Sequence, residues 1–396
     1  MQKTTLFPAV LGLILLTWTF PVFSQNEIFQ LRSLACNLSQ PWEITYGPDN
    51  YLWVTEALSY QVSRIDPVTG NAHQIADLSQ RKDFPNNLDP FPQGGLMGLA
   101  LHPEFMTGKP FVYLAYVYHF DSCAPDKHGC YFRTRISRFT YDMTGDSLKS
   151  ELVVLDSLPG STDHNGGRLT IGPVGNKMYL FYGIGDMGAG QFANQERTHN
   201  GQNLNIYEGK ILRLNLDPDS DPVAADRWIP NDNPYESEGA KSAVWTLGHR
   251  NPQGLVFGPT GILYESEHGP YSDDEINVIL PQRNYGFPLV VGYADGNYNG
   301  SAVALGSTVP QIIDEQANAQ ALGAAYKDPI KSFFPASQSM VSTIFNNEKN
   351  STPPFPNYYL SWPSAAPSGI EYYGSDAIPG WKNSLLVATL KLGRVF

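Results

Sequence analysis

The sequence predicts an all-β chain folded as a β-propeller, and three observations carry that prediction. The first is composition. Only 16% of the 396 residues are charged, whereas 36 Gly, 31 Pro, 22 Tyr and 20 Phe supply turn formers and aromatics. Such a mixture favours short strands and tight connections over helices. The second is recurrence. An alternating apolar segment closed by a Gly or Pro turn occurs five times: Ile44–Pro48, Leu99–Pro103, Leu169–Pro173, Leu255–Pro259 and Ile370–Gly374. The third is the order of strands within each unit. A second apolar strand succeeds every such segment (YLWVTE, FVYLAYVY, KMYLFYGIGD, ILYESE, LLVATLK), and three units add a third strand with a basic residue inside it (VSRIDP, ISRFTYD, ILRLNLD). Period-two alternation with repetition of the whole unit is how propeller blades read in sequence. A β-sandwich would share the alternation but not the repetition.

The first 24 residues read as an export signal. Lys3 supplies a positive start, Ala9–Leu16 a short apolar run, and Val22 and Ser24 flank a cut before Gln25. Pro8 and Pro21 bracket the apolar stretch and no basic cluster comes after it, so cleavage is favoured over a membrane anchor. The expected mature unit is one domain, residues 25–396, in a periplasmic or extracellular compartment. Cysteine use agrees. Cys123 and Cys130 frame DSCAPDKHGC, a loop that a disulfide closes at little entropic cost. A metal site built there with His128 would lack a ligand. Cys36 is the odd one, expected as a small buried hydrophobe.

Charge narrows the partners. With 26 basic and 38 acidic residues the net charge is −12, which lends no support to binding nucleic acid or an anionic membrane. The Pro-to-Pro spacing of the repeats grows from 55 to 70 to 86 residues (positions 48, 103, 173, 259). Long loops are therefore inserted on a regular scaffold, and such loops commonly carry function.

Three polar clusters sit where repeat strands begin or end, which in a propeller is the mouth of the central channel. Asp163-His164-Asn165-Gly166-Gly167-Arg168 reads either as a general base beside a carboxylate or as a solvated turn. Gly248-His249-Arg250-Asn251-Pro252-Gln253-Gly254 offers an Arg for carboxylates or carbonyls, or a structural Arg. Glu267–Glu275, then Asn284-Tyr285-Gly286 and Tyr293–Gly296, suits either a hard cation or an acidic surface loop. Ligand spacing of the EF-hand type is absent.

Taken together, GHRNPQG, the SEHGPYSDDEIN run, NYGFP, DHNGGRL, QGGLMGLALHPEF and WPSAAPSG resemble the soluble, pyrroloquinoline quinone (PQQ)-dependent glucose dehydrogenases of the glucose/sorbosone dehydrogenase family. The resemblance runs from about Pro41 to Phe396. It implies a six-bladed propeller that oxidises the anomeric hydroxyl of aldoses to the lactone, using PQQ bound through Ca2+, with electrons passed to an external acceptor (a quinone, small cytochrome or dye). It also implies a possible homodimer. Carried over residue by residue, it makes His164 the general base that takes the C1 hydroxyl proton while hydride passes to the quinone. Gln93, Asp163 and Arg250 would hold the sugar, with Asp186 and Gln191 in supporting roles. Arg250, Asn251, Ser364 and Lys391 would contact the cofactor. Gly269 and Pro270 would offer carbonyls to the catalytic Ca2+, and Glu275, Tyr285, Val291, Tyr293 and Asp295 match further calcium sites, with Glu315 a candidate last ligand.

The chain departs from that pattern in places. Ser364 stands for Thr, His268 for Gln, and DSCAPDKHGC reads as an insertion. The chain ends at Phe396 within the fifth repeat, where the family adds a further blade and an Arg pair, so the resemblance implies a C-terminally incomplete propeller. Two other classes share such a scaffold: a non-catalytic, calcium-stabilised carbohydrate- or protein-binding propeller and a calcium-dependent lactonase. Neither has an evident need for His164, Arg250, Asn251, Gly269, Pro270 and Lys391 together.

Overall fold

The computed structural model describes residues 29–396 apart from 31, 35–36, 127, 238–239 and 351–357. The expected signal peptide and Cys36 lie outside the described residues. Five antiparallel sheets form in chain order. The first holds β1 (Pro41–Tyr46), β2 (Leu52–Glu56), β3 (Gln61–Ile65) and β4 (Ala72–Asp77). The second holds β5 (Leu96–Leu101), β6 (Phe111–Ala124), β7 (Gly129–Asp142) and β8 (Ser147–Gly160). In the third, β9 (Leu169–Val174), β10 (Lys177–Ile184) and β11 (Lys210–Asn215) are joined, after the hairpin β12 (Glu236–Ser237) and β13 (Ala240–Lys241), by β14 (Val244–Leu247). The fourth is β15 (Pro252–Phe257), β16 (Leu263–Glu267), β17 (Asp274–Ile279) and β18 (Lys331–Phe333). The fifth is β19 (Pro367–Tyr373), β20 (Ser384–Thr389) and β21 (Arg394–Val395).

Each sheet is a propeller blade, and five blades are present among the described residues. The five repeats read in the sequence are the first strands β1, β5, β9, β15 and β19. Residues from all five, including Glu43, Leu99, Leu169, Leu255 and Ile370, line one central channel. The core lies between blades. One cluster packs Trp53, Tyr60 and Val62 of the first against Leu96, Val112 and Leu114 of the second, and the next packs Tyr113 and Ile136 against Leu180 and Leu212. Radial packing of this kind keeps sheet edges short.

The basic residue of each third strand has a structural task. Arg64, Arg138 and Arg213 sit directly across from Trp53, Tyr113 and Phe181 of the second strand. Each guanidinium then lies over the aromatic two residues earlier, Tyr51 at 4.0 Å, Phe111 at 4.0 Å and Tyr179 at 4.5 Å. Alternation puts those two aromatics on one face, and Arg64 covers both, whereas Arg138 and Arg213 reach a second aromatic elsewhere, Trp228 and Trp245. The repeat is thus a packing unit.

The DSCAPDKHGC segment is not a loop on a short hairpin. β6 and β7 run on for fourteen residues each, and Cys123 and Cys130 pair across their tip in a disulfide. The acidic run at 273–275 is not a surface loop either. Asp273, Asp274 and Glu275 are buried, and the last two open β17. Helices α1 (Glu315–Leu322) and α2 (Gln338–Asn350) lie in the connections before and after β18. No helix among the described residues is long and apolar enough to cross a membrane.

Candidate active site

The loop between β8 and β9 places His164 at one mouth of the channel in a left-handed backbone conformation, φ 51°. Such a conformation costs energy for a residue with a side chain and marks functional turns. The imidazole is almost wholly buried and held from both sides. Its Nδ1–H donates to Asp186 Oδ1 at 2.6 Å, from the turn after β10. Its Nε2 accepts from the Gln191 amide at 2.9 Å. That network assigns the neutral tautomer with the Nε2 lone pair turned away from Asp186. Burial works against ionisation of Asp186, but the His164 ring and its hydrogen bond, with His199 behind, hold its carboxyl well below the usual carboxylate range.

Asp163 and Gln93 complete this side. Asp163 accepts from Gln93 Nε2 at 3.2 Å and from Gln191 Nε2 at 2.6 Å, and its Oδ1 lies 3.8 Å from His164 Nε2. Asn165 ties the loop to itself through Ser161. Arg250 and Asn251 come from the turn before β15. The guanidinium donates to the His268 carbonyl and to Gln191 Oε1, both at 3.3 Å. Asn251 Oδ1 accepts from Gly166 N–H at 3.2 Å, so the two mouth loops are stitched together. A cavity of about 330 Å3 opens among these groups, bordered by Gln93, Asp163, His164, Asn251, His268 and Leu390. A base whose lone pair is met by a displaceable side-chain amide, with a flanking carboxylate and a neighbouring cation, can bind a polyol and take a hydroxyl proton once that amide gives way.

Residues 38–320 match the family described as Glucose / Sorbosone dehydrogenase. Over 392 residues the chain is 35% identical to quinoprotein glucose dehydrogenase B of Acinetobacter calcoaceticus, covering 94% of this chain and 78% of that protein. The chain belongs to the glucose/sorbosone dehydrogenase family. It is also 26% identical over 384 residues to aldose sugar dehydrogenase YliI of Escherichia coli K12, covering 94% of this chain and 80% of that one. Among solved structures, the PQQ-bound form of aldose sugar dehydrogenase from Streptomyces coelicolor superposes with a TM-score of 0.59 at 25% identity, covering 92% of this chain and 78% of that one.

The other family-implied residues fall into two groups. Ser364 and Lys391 do not border the cavity. Ser364 Oγ donates to both oxygens of Asp274 at 3.1 Å, and Lys391 Nζ donates to the carbonyls of Tyr359 and Trp362. Asp274 also receives the backbone N–H groups of Gly269, Ala365 and Ala366. It thereby fastens the Gly269–Pro270 turn to the loop before β19. Gly269 must be glycine, since a Cβ there would stand 1.9 Å from the Ser272 carbonyl oxygen.

The second group gathers around β17 and the loop 291–298. Glu275 accepts from Gly292 N–H at 2.8 Å and from Asn277 Nδ2 at 3.0 Å. Glu315, at the start of α1, accepts from the N–H groups of Val291, Gly296 and Tyr298. Burial, with Asp295 adding, raises its pKa to about 7 against those backbone donors. Glu315, Val291 and Asp295 therefore meet. Tyr285 lies apart, its hydroxyl on the Val278 carbonyl and its ring stacked on His249, and the Tyr293 hydroxyl reaches only the Ile330 carbonyl, at 3.4 Å.

Sequence reading assigned no role to four groups that meet here. Glu267 accepts from the backbone N–H of Arg250 at 2.7 Å and of Asn251 at 3.2 Å, so it shapes their turn. Glu265, Glu267 and His249 bring ligand atoms within 4.8 Å of one another. Asn277 bridges Glu265, Glu267 and Glu275 with one amide nitrogen. The signal was available. Glu265 and Glu267 are two apart, so one strand face carries both, and the register sets Glu267 opposite Glu275.

The site fits the implied cofactor. His268, on the cavity wall, has its Nε2 buried without a hydrogen-bond partner among the described residues. Burial, then Arg250 and His164, lower the His268 pKa to about 3, so a neutral acceptor or donor waits there beside the Arg250 cation.

Proposed function

We propose that this chain is a PQQ- and Ca2+-dependent aldose dehydrogenase that oxidises glucose-like sugars at C1 to the lactone. The observation that carries the reading is His164 on the cavity wall, locked by Asp186 in the tautomer whose Nε2 is an acceptor, and in this reading the Gln191 amide on that nitrogen occupies the place of a substrate hydroxyl. In this reading the sugar displaces Gln191 and presents its C1 hydroxyl to Nε2. His164 takes that proton, and ionised Asp186 stabilises the imidazolium. Asp163 and Gln93 hold neighbouring hydroxyls and so orient C1. Arg250 and Asn251 would hold the quinone, Gly269 and Pro270 its calcium through their carbonyls, and the bound quinone would supply a two-electron acceptor. Arg250 stabilises negative charge developing at that wall. Ser364 and Lys391 would reach the cofactor after exchanging their present partners.

Glu275, Val291, Asp295 and Glu315 would hold a second, structural calcium, with Tyr293 in the same loop and Tyr285, turned to Val278 and His249, outside the ligand set. A six-bladed ring, export to the periplasm or beyond behind a cleaved residue 1–24 signal, an external electron acceptor and a homodimer complete the reading, supported by family membership. The test is direct. Purified protein is mixed with PQQ and Ca2+, and aldose-dependent dye reduction is followed. Sugar binding without dye reduction would mark a binding propeller. Hydrolysis of added lactone without either additive's redox effect would mark a hydrolase.

A further inference from the structure

Asp186 has two oxygens, and only one is explained by His164. Oδ1 receives the His164 Nδ1–H at 2.6 Å and the Gly188 N–H at 2.9 Å. Oδ2 faces a second imidazole, with His199 Nε2 at 3.4 Å. His199 Nδ1 accepts from the Gly201 N–H at 3.2 Å, so its own proton sits on Nε2, the nitrogen nearest Asp186 Oδ2. The ring is 3% exposed, and Nε2 has no hydrogen-bond partner among the described residues, the Asp186 carboxylate at 3.4 Å being a contact of charge and dipole. Phe287 packs on it with centroids 5.1 Å apart. Gly201 closes the other side, where a Cβ would stand 2.8 Å from His199 Cε1. A buried donor is seldom left without an acceptor, and here one carboxylate oxygen is within electrostatic reach.

We propose that His199 is a positioning residue for the His164 base, acting through Asp186. This rests on the reading of His164 as the base. With His199 set against Oδ2 while Oδ1 is hydrogen-bonded, rotation of the carboxylate is opposed, so the His164 ring keeps one tautomer and one direction. Sharing Asp186 between two imidazoles also weakens its pull on the His164 Nδ1–H. Asp186 does not border the cavity that would take the sugar, so the effect belongs in turnover and leaves substrate binding alone.

The experiment reads the low-field proton NMR signal of His164 Nδ1–H in cofactor-free protein. In His199→Leu that signal moves further downfield, because Asp186 is no longer shared. In the PQQ- and Ca2+-loaded enzyme the same variant loses about three- to tenfold in kcat with KM unchanged. His199→Gln, whose amide reaches the same oxygen, brings both readouts back. Gly201→Ala, which pushes on the His199 ring, moves the signal the same way and serves if His199→Leu does not fold. An unmoved signal and unchanged kcat in folded His199→Leu would overturn the proposal. The signal is independent of turnover, so a wrong base shows separately, as activity retained in His164→Ala.

Discussion

Asp186 and Glu275 are both carboxylates with almost no exposed surface, 2% and 7%, yet the protein drives them in opposite directions. Asp186 stands between two imidazoles and a backbone N–H and is held ionised far below its ordinary range. Glu275 faces Glu267 across β16 and β17, and among the described residues it accepts hydrogen bonds from the Asn277 amide and one backbone N–H. Burial and then the Glu267 charge push its carboxyl well above the ordinary range, and Glu265 behaves likewise. Like charges set opposite in a sheet are destabilising, and burial makes the cost larger. The contrast marks where the chain supplies its own countercharge and where it leaves that to protons or a bound cation. In the function proposed here the first region would serve proton transfer and the second a metal.

The largest effect expected on this contrast is at the base. His164→Ala should lower turnover by roughly two to four orders of magnitude while calcium binding, measured by calorimetry, stays unchanged. Equal turnover in the variant would remove His164 from the reaction. Next comes its partner. Asp186→Asn replaces an acceptor with a group that donates toward Nδ1, favouring the wrong tautomer, and should cost about a hundredfold or more in kcat. A steady-state assay showing kcat within twofold would undo the pairing.

Smaller, and on the other region, is a pH effect. Glu315 is raised from 4.5 to about 7 by burial, so the folded chain keeps a proton that the unfolded chain has lost. In chelated protein the associated stability is full below about 4.5 and is lost as pH rises to about 7. Thermal melts should fall across that window and flatten when Ca2+ is added, because binding to the folded state alone restores stability. A chelated protein whose melting temperature rises over the same window would contradict the placement. The smallest effect is Glu265→Gln. A carboxyl already kept protonated by burial is nearly isosteric with the amide, so stability should change by no more than about 1 kcal/mol in urea titrations. A large loss would mean that Glu265 is ionised and paired with a cation.

Much of this was legible in the amino-acid order. Period-two alternation and the fivefold turn pattern located the first and second strands of every blade, because sheet pleat and turn chemistry are local properties. The clusters around His164 and Arg250 were legible for the same reason, since each lies where a repeat strand begins. The burial of 273–275 was not. A run of three acids reads as solvent-facing until long-range packing closes over it, and β18 and the loop before β19 do that from 59 and 91 positions away. His199 was equally silent, since nothing near it in the chain marks it as a partner of Asp186.

Amino-acid order alone set the blade, its strand order, the aromatic-and-arginine packing unit and the residue types at the channel mouth, all of which are fixed within a few tens of residues. Which carboxylate meets an imidazole, and which meets another carboxylate, was decided only when the blades packed. Asp186, Glu275 and Glu315 are chemically alike, and their charge state depends on neighbours brought from other blades and loops. Distance along the chain carries no information about that environment, whereas burial and countercharge in the packed blades set it group by group.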